Sequence, residues 1–140
     1  MAIISIGNIM SEDIVSIHKD AMVGQAAHIL LRFRINGILV ISKTNKNKIL
    51  GVFTTTDLLR YLEKTLSQPG RRAAELARIA RLPVTALMKK EVISVSINDR
   101  FGKLLALIHR KGIHTVPVYD GDKLVGVVGR HDVLNAAFRI

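Results

Sequence analysis

The stretch "KILGVFTTTDLL", residues 48–59, occurs a second time in altered form as "KLVGVVGRHDVL", residues 123–134. The two copies lie 75 positions apart and match Gly51 with Gly126, Asp57 with Asp132, and Leu59 with Leu134. Self-similarity at a fixed spacing indicates that the chain contains two copies of one supersecondary unit. Extending this match in both directions predicts the rest of the fold.

Toward the N-terminus the match continues at a shift of 78, where "IGNIMSEDIVSI" (residues 6–17) lies on "VTALMKKEVISV" (residues 84–95). The three extra residues of the first copy fall in the polar stretch "SKTNKNK", where an insertion costs little. We therefore predict one repeat at residues 6–66, a second at residues 84–140, and a joining segment at residues 67–83.

Each repeat has the pattern strand, helix, strand, strand, helix. In the first, residues 23–33 carry apolar side chains at helical spacing, and the apolar runs 38–41 and 49–53 are typical of strands covered on both faces. A short strand at residues 14–17 and a helix at residues 57–66 complete it. In the second repeat the predicted elements are residues 92–95, 100–111, 115–119, 124–128 and 131–137.

About sixty residues can bury only part of their apolar surface alone, so we expect the two repeats to pack sheet against sheet about a pseudo-twofold axis. The fold class is thus predicted as α/β (α+β). The expected core residues are Leu30, Val40, Val52, Leu107, Val118 and Val127.

Composition narrows the function classes. Among the 140 residues there is no cysteine, which excludes disulfides, thiolate nucleophiles and Cys-based zinc sites. No apolar run approaches the ~20 residues that span a bilayer, and no signal peptide is evident, so we expect a soluble cytoplasmic protein. The five histidines form no HExxH motif, and no Walker loop, GxSxG or GxGxxG precedes a helix at the required spacing. We expect no catalytic residue, no metal site and no cofactor.

The formal net charge of +10 is concentrated in the middle of the chain, where residues 61–90 carry seven basic and two acidic side chains. "QPGRRAAELARIARLP", residues 68–83, predicts a basic helix with Arg71, Arg78 and Arg81 near one face and Ala73, Leu76, Ala77 and Ala80 near the other. We favour packing of this helix on the protein. Nucleic-acid binding through Arg71, Arg72, Arg78 and Arg81 is the alternative, although basic residues are not interleaved with aromatic ones.

"IGNIM", "VTALM" and "KGIHTVPVYDGDKLVGVVGRHDVL" resemble cystathionine-beta-synthase (CBS) domains, and the tandem resembles a CBS domain pair, or Bateman module. The resemblance covers the chain apart from its middle segment. It implies a discoid module that binds adenine nucleotides (AMP, ADP or ATP) or a related adenosyl ligand, forms a homodimer, and regulates an effector protein of unknown identity without chemistry of its own.

The resemblance also implies two ligand clefts, each taking a Thr-x-x-Asp turn from one repeat and a strand wall from the other. In the family the aspartate accepts hydrogen bonds from the ribose diol, and the neighbouring Thr or Ser contacts phosphate at a helix N-terminus. The first cleft would comprise Thr54, Thr56, Asp57, Val92, Ile93, Ile113, His114, Thr115, Val116 and Pro117. His114 either faces the phosphate or is a partly buried histidine bonded to the backbone.

The second cleft would comprise Ile14, Val15, Asn36, Gly37, Ile38, Arg130, His131 and Asp132. We expect it to be weaker, because Gly129 replaces the usual Ser or Thr and "INGILV" lacks the His and Pro of "IHTVPV". Thr54-x-x-Asp57 equally fits a helix capping box. The second copy loses the hydroxyl yet retains Asp132, which favours a further task for the carboxylate.

Overall fold

A computed structural model describes residues 4–67, 70 and 72–138. The helices are α1 (Ile6–Ile9), α2 (Val23–Phe33), α3 (Thr55–Leu66), α4 (Arg72–Ala80), α5 (Phe101–Arg110) and α6 (Arg130–Phe138). The strands are β1 (Ser16–His18), β2 (Gly37–Ile41), β3 (Ile49–Thr54), β4 (Val95–Ser96), β5 (Thr115–Asp120) and β6 (Lys123–Gly129). A 3₁₀ turn spans Val84–Ala86. The predicted α/β fold with two β-α-β-β-α repeats is confirmed.

Both repeats build the same three-stranded sheet. In the order β1-β2-β3, β1 runs parallel to β2, and α2 makes the crossover that a parallel pair requires. β2 then pairs with β3 in antiparallel fashion. The sheet β4-β5-β6 repeats this pattern, with α5 as its crossover. In each sheet the last strand leads directly into a helix, which places the Thr54 and Gly129 positions at equivalent strand-to-helix junctions.

The chain forms two compact units whose boundaries differ from those of the sequence repeats. The first unit is Val15–Val92, and the second consists of the described residues up to Ile14 and from Ile93 onward. The N-terminal segment with α1 therefore belongs to the unit that holds the second sheet. Likewise, the 3₁₀ turn at Val84–Ala86 belongs to the unit that holds the first sheet. The predicted repeat boundaries describe the internal similarity of the sequence, whereas the compact units follow the packing.

Each unit has its own apolar core. In the first unit the buried cluster consists of Ile17, Val23, Ala26, Leu30, Ile38, Val40, Phe53, Ile79 and Val84. In the second it consists of Ile6, Val95, Leu104, Val116, Val118, Val128 and Val133. Ile6 and Val84, which match at the shift of 78, are both fully buried. The segments at the start of the two repeats thus complete the two cores.

Two of the six expected core residues are only partly buried. Leu30, Val40, Val52 and Val118 are buried, whereas Leu107 and Val127 are half-buried. In α5 the fully buried position is Leu104, one turn earlier. Along β6 the side chains alternate between faces, and the fully covered face holds Leu124, Gly126 and Val128. Continuous apolar runs do not reveal which of the two faces is better covered.

Other differences from the expected elements are small. β1 begins two residues later than predicted and β4 three residues later. The reason is that their parallel hydrogen-bonded pairing with β2 and β5 starts only at Ser16 and Val95. Sequence periodicity did not predict α1 or the 3₁₀ turn. Each is a single turn, too short for a helical pattern to repeat.

Candidate functional site

The strongest candidate site is the junction between β3 and α3, where Thr54 and Asp57 cap the helix. Thr54 has extended backbone angles, and its Oγ1 accepts a hydrogen bond from the Asp57 N–H at 3.2 Å. Asp57 Oδ2 accepts from the Thr54 N–H at 3.0 Å and from the Thr54 hydroxyl at 2.9 Å. This arrangement is a complete capping box, so the structural interpretation of the sequence motif is correct.

Capping uses only one of the two carboxylate oxygens of Asp57. The residue is 4% exposed, and among the described residues Oδ1 has no hydrogen-bond partner. A buried acceptor left without a partner costs about 1–3 kcal/mol, and more when it is charged. Because Oδ2 alone satisfies the cap, the burial of Oδ1 without a hydrogen bond is not explained by helix capping. It is the arrangement expected of an acceptor that awaits a donor.

Two cations form long ion pairs with this oxygen without a hydrogen bond to it. Arg60 Nη1 is 3.5 Å and Lys89 Nζ is 4.0 Å from Asp57 Oδ1. Their side chains are 65% and 56% exposed. Neither distance is within the range of a hydrogen bond with good geometry. A hydroxyl donor at Oδ1 would supply the hydrogen bond that neither cation makes.

Lys89 reaches the site because its backbone pairs with the outer edge of β3. The Val52 and Lys89 N–H groups each donate to the other residue's carbonyl at 2.9 Å. This close approach requires Gly51, since a Cβ there would lie 2.5 Å from Met88 Sδ and 2.7 Å from the Lys89 carbonyl oxygen. The sequence analysis missed both cations. Arg60 was discoverable from its i+3 spacing to Asp57, but Lys89 lies far along the chain and gave no local signal.

The equivalent junction between β6 and α6 has a reduced version of the same cap. Asp132 Oδ2 accepts from the Gly129 N–H at 2.7 Å, and Gly129 supplies no hydroxyl. Asp132 is half-buried, unlike Asp57, and neither of its oxygens is both buried and unpaired. The retained carboxylate in the second repeat is thus explained by capping, and its retention is weaker evidence for another task than the sequence suggested.

Strand pairing accounts for the missing hydroxyl. In the first sheet Thr54 lies opposite Gly37, whereas in the second sheet Gly129 lies opposite Thr115. Each ladder thus ends in one glycine and one threonine, in exchanged positions. A Cβ on Gly129 would lie 3.2 Å from the His114 carbonyl oxygen, tighter than an ordinary contact. The second junction therefore has little room for the side chain that completes the first.

The remaining predicted site residues divide between the units. Within the first unit, Asn36 and Gly37 adjoin the Asp57 turn, because the Thr55 N–H donates to the Asn36 carbonyl at 2.9 Å and Gly37 pairs with Thr54. Thr56 is exposed beside them. Also in this unit, Ile38 is buried, and Val15 and Val92 are half-buried. Asn36 and Gly37 were assigned to the second cleft, so residues of both predicted clefts meet at one junction.

Within the second unit, Val116 and Pro117 are buried, whereas Ile14, Ile93, Ile113 and Thr115 are half-buried. Arg130, His131 and His114, the predicted site residues of this unit with basic side chains, are all exposed. The interpretation of His114 as a partly buried histidine is wrong, because its side chain is exposed. The first predicted cleft combines residues of the second unit with the Asp57 turn of the first unit, and it stays a prediction.

The basic middle segment contains α4, as expected for a helix, but its packing face differs from the one predicted. Ile79 is buried, while Ala73, Leu76 and Ala77 are exposed. Of the predicted apolar face, Ala80 lies close to Gly24 of α2, since a Cβ built on Gly24 would be 3.1 Å from the Ala80 Cβ. Helical spacing of small residues did not predict the packing face, because Ile79, outside that set, is the buried residue of α4.

The arginines of this segment are not equally free to meet an anion. Arg78 donates to Glu75 at 3.0 and 3.2 Å, and hydrogen bonds to Tyr61 and Glu75 raise the pKa of Arg78 above its usual value. Arg72 and Arg81 are exposed, and Arg71 lies outside the described residues. Nucleic-acid binding through this segment stays a prediction, with one of its four arginines engaged by an acidic neighbour.

Two further classes of site were sought. Within residues 4–67, 70 and 72–138, no group of three or more histidine or acidic side chains is placed to hold a metal ion. Over the same part of the chain, no helix combines the length and apolar character needed to cross a membrane.

Comparison with known proteins agrees with this architecture. The CBS domain family matches residues 6–64 and 84–139, most of the sequence, and this chain belongs to the CBS domain family. Among curated proteins it is 27% identical over 129 residues to a homoserine O-acetyltransferase of Methanococcus vannielii, covering 91% of this chain and 24% of that protein. It is 25% identical over 122 residues to the 5'-AMP-activated protein kinase subunit gamma of Dictyostelium discoideum, covering 86% of this chain and 21% of the relative.

The chain thus spans about a quarter of the length of these curated relatives. Among solved structures, a CBS-domain containing protein from Agrobacterium tumefaciens superposes with a TM-score of 0.80 at 23% identity, covering 96% of this chain and all of that one. The CBS domain pair of protein MJ0100, in complex with 5'-methylthioadenosine and S-adenosyl-L-methionine, has a TM-score of 0.73 at 20% identity, covering 96% and 99%. These likenesses establish the fold.

Proposed function

We propose that this chain is a regulatory ligand-binding module that takes an adenine nucleotide or a related adenosyl ligand at the Asp57 junction and signals to a partner. The observation that carries the proposal is the buried Asp57 Oδ1, which receives no hydrogen bond from any described residue. An ionised carboxylate is an acceptor only, so the group that completes this site must bring donors. A ribose, with two adjacent hydroxyls, brings them in a suitable arrangement.

The neighbourhood of Asp57 supports a nucleotide over a bare sugar. The junction opens at the N-terminus of a twelve-residue helix, where the macrodipole favours an anionic group. The exposed Thr56 hydroxyl lies in the first turn, and the cations of Arg60 and Lys89 are beside the carboxylate. AMP, ADP and ATP each combine a diol with a phosphate. No chemical step is proposed, since the functional groups gathered here bind rather than react.

The relatives support the adenosyl class. One solved CBS domain pair is titled as a complex with 5'-methylthioadenosine and S-adenosyl-L-methionine, and one curated relative is named for activation by 5'-AMP. These ligands share adenine and ribose and differ in what the 5' position carries. The shared portion is the one that Asp57 would recognise. Two curated relatives are named as enzymes, an acetyltransferase and an inosine-5'-monophosphate dehydrogenase, so the effector is proposed only as a partner of unknown identity.

A homodimer is also part of the proposal. Leu59 and Leu134, which match in the two repeats, are 65% and 51% exposed on α3 and α6. Apolar helix residues exposed at equivalent places are suited to self-association about a symmetry axis. Light scattering of the purified chain tests this directly, and a monomeric mass would contradict it.

Calorimetric titration with AMP, ADP, ATP and S-adenosylmethionine tests the ligand. Replacing Asp57 with alanine removes the diol acceptor, and we expect it to weaken binding by about 1.5–3 kcal/mol, the range for hydrogen bonds to a charged group. Asp132→Ala is the matched control, because it removes the equivalent cap from the second unit, and we expect a smaller loss. Equal losses in both variants, or no binding of any adenosyl ligand by the unaltered chain, would contradict the proposal.

A further inference from the structure

The cations near Asp57 come from separate parts of the chain and meet at one oxygen. Arg60 is one turn into α3, and Lys89 is on the segment that pairs with the edge of β3. Their charged groups lie 3.5 and 4.0 Å from Asp57 Oδ1, so the carboxylate is accompanied by one more positive charge than it neutralises. Neither cation is needed for the helix cap, which Thr54 and Asp57 Oδ2 complete by themselves.

Both cations are held in the neighbourhood by their backbones rather than by the carboxylate. The Lys89 backbone is fixed to Val52 by two hydrogen bonds of 2.9 Å, and Arg60 is inside a regular helix. Their side chains are more than half exposed and can pivot. A hydroxyl donor at Oδ1 would therefore share the junction with two exposed cations that the protein does not otherwise need there.

We infer that Arg60 and Lys89 are specificity-determining residues that make the site select adenosine carrying an anionic phosphate over adenosine itself and over S-adenosyl ligands. This inference rests on the proposed function. AMP brings about two negative charges at neutral pH, which the excess positive charge attracts. S-adenosylmethionine carries a sulfonium and an ammonium against a single carboxylate, and this net positive charge is disfavoured beside two cations. The ribose contact at Asp57 is common to all three ligands and does not discriminate.

The experiment compares AMP, adenosine and S-adenosylmethionine by calorimetric titration of the full chain at low ionic strength. In the unaltered protein we expect AMP to bind at least about tenfold more tightly than either of the others. Arg60→Gln and Lys89→Gln should each weaken AMP binding by roughly threefold to tenfold while changing adenosine binding by less than about twofold. Added salt should narrow the difference between AMP and adenosine, because the discriminating charges are exposed.

Lys64→Gln and Lys90→Gln are the matched controls. Lys64 is on the same helix as Arg60, and Lys90 follows Lys89, so each control removes the same net charge from a neighbouring place. If a control weakens AMP binding as much as Lys89→Gln does, the effect is that of overall charge and the inference is overturned. Equal affinities for AMP and adenosine would overturn it while leaving the ribose site intact. If adenosine and AMP both fail to bind, the proposed function itself fails.

Discussion

The two strand-to-helix junctions, at Asp57 and at Asp132, lie at matching positions of the two repeats but differ in the capping hydroxyl and in the burial of the aspartate. At the first junction Thr54 completes the cap through one oxygen of Asp57, and the other, buried oxygen has no hydrogen bond from any described residue. At the second, Gly129 offers only its N–H, and Asp132 stays half-buried. The difference teaches that matching aspartates of two repeats can make the same kind of helix cap in different surroundings, so the motif by itself does not determine how deeply the carboxylate is buried.

Next to each junction, the last strand of the sheet contains a glycine that another segment of the chain approaches closely. We expect replacement of these glycines to have the largest effect on stability. A Cβ at Gly51 would lie 2.7 Å from the Lys89 carbonyl oxygen, and one at Gly126 would lie 2.8 Å from that of Ser11. Since backbone atoms cannot rotate away, we expect Gly51→Ala and Gly126→Ala each to lower the free energy of unfolding by about 1–3 kcal/mol, as measured by urea denaturation.

Gly102→Ala is the control for this pair, because no atom lies within 4 Å of a Cβ built there and the position is in α5. We expect it to be neutral or to stabilise by up to about 1 kcal/mol. If Gly51→Ala left the free energy of unfolding unchanged while Gly126→Ala lowered it, the segments that pair with β3 and β6 would pack differently. The two units would then not share this feature.

Substitutions at the two capping positions test the difference between the junctions, and we expect them to change stability by an intermediate amount. Thr54→Ala removes the hydroxyl that both donates to Asp57 Oδ2 and accepts from the Asp57 N–H, and should cost about 1 kcal/mol of stability. Gly129→Ser offers the second junction a hydroxyl, but its Cβ meets the His114 carbonyl oxygen at 3.2 Å. We expect a net change below about 0.5 kcal/mol, also by urea denaturation. A gain as large as the Thr54→Ala loss would show that the second junction has room for a full cap.

The smallest expected effect concerns the starts of the crossover helices, where the units also differ. Asp99 accepts from the Ser96 N–H at 2.8 Å and from Lys103 at 3.0 Å, and these contacts hold the pKa of Asp99 below its usual value. At the start of α2 the matching positions are Ala21 and Gln25, and the Gln25 amide oxygen accepts from the Met22 N–H at 2.8 Å. At this pair of matching positions the second unit therefore has a carboxylate where the first has an alanine.

The sign of the pH dependence follows from the lowered pKa. The contribution of Asp99 is complete above the pKa of the unfolded chain and is lost as the pH falls through the lower pKa of the folded state. Asp99→Asn should thus be slightly less stable than the unaltered chain at neutral pH, and the two should converge below about pH 4. Thermal melts across this range measure the gap. A gap that stays constant down to pH 3 would mean that the carboxylate charge does not contribute.

Much of the architecture followed from the sequence by itself. Two repeats with matched glycines and aspartates, apolar runs of strand length and helical spacing at residues 23–33 were enough to predict the α/β fold, the order of its elements and the capping turns. These features are local, or repeat at a constant shift, and local propensity and periodicity are properties that one chain displays without its partners. The prediction that the Thr54–Asp57 turn is the stronger site came instead from the resemblance to CBS domains, and it stays a prediction.

The tertiary structure decided what local patterns cannot express. It placed Lys89 beside Asp57 through backbone pairing with Val52, assigned the segments around Met10 and Met88 to the sheets of the opposite repeats, and buried Leu104 and Val128 more fully than Leu107 and Val127. It also left one oxygen of Asp57 without a donor while satisfying the other. Each of these outcomes depends on contacts between residues distant in sequence, and two similar repeats carry the same local signals whichever sheet their first segments join.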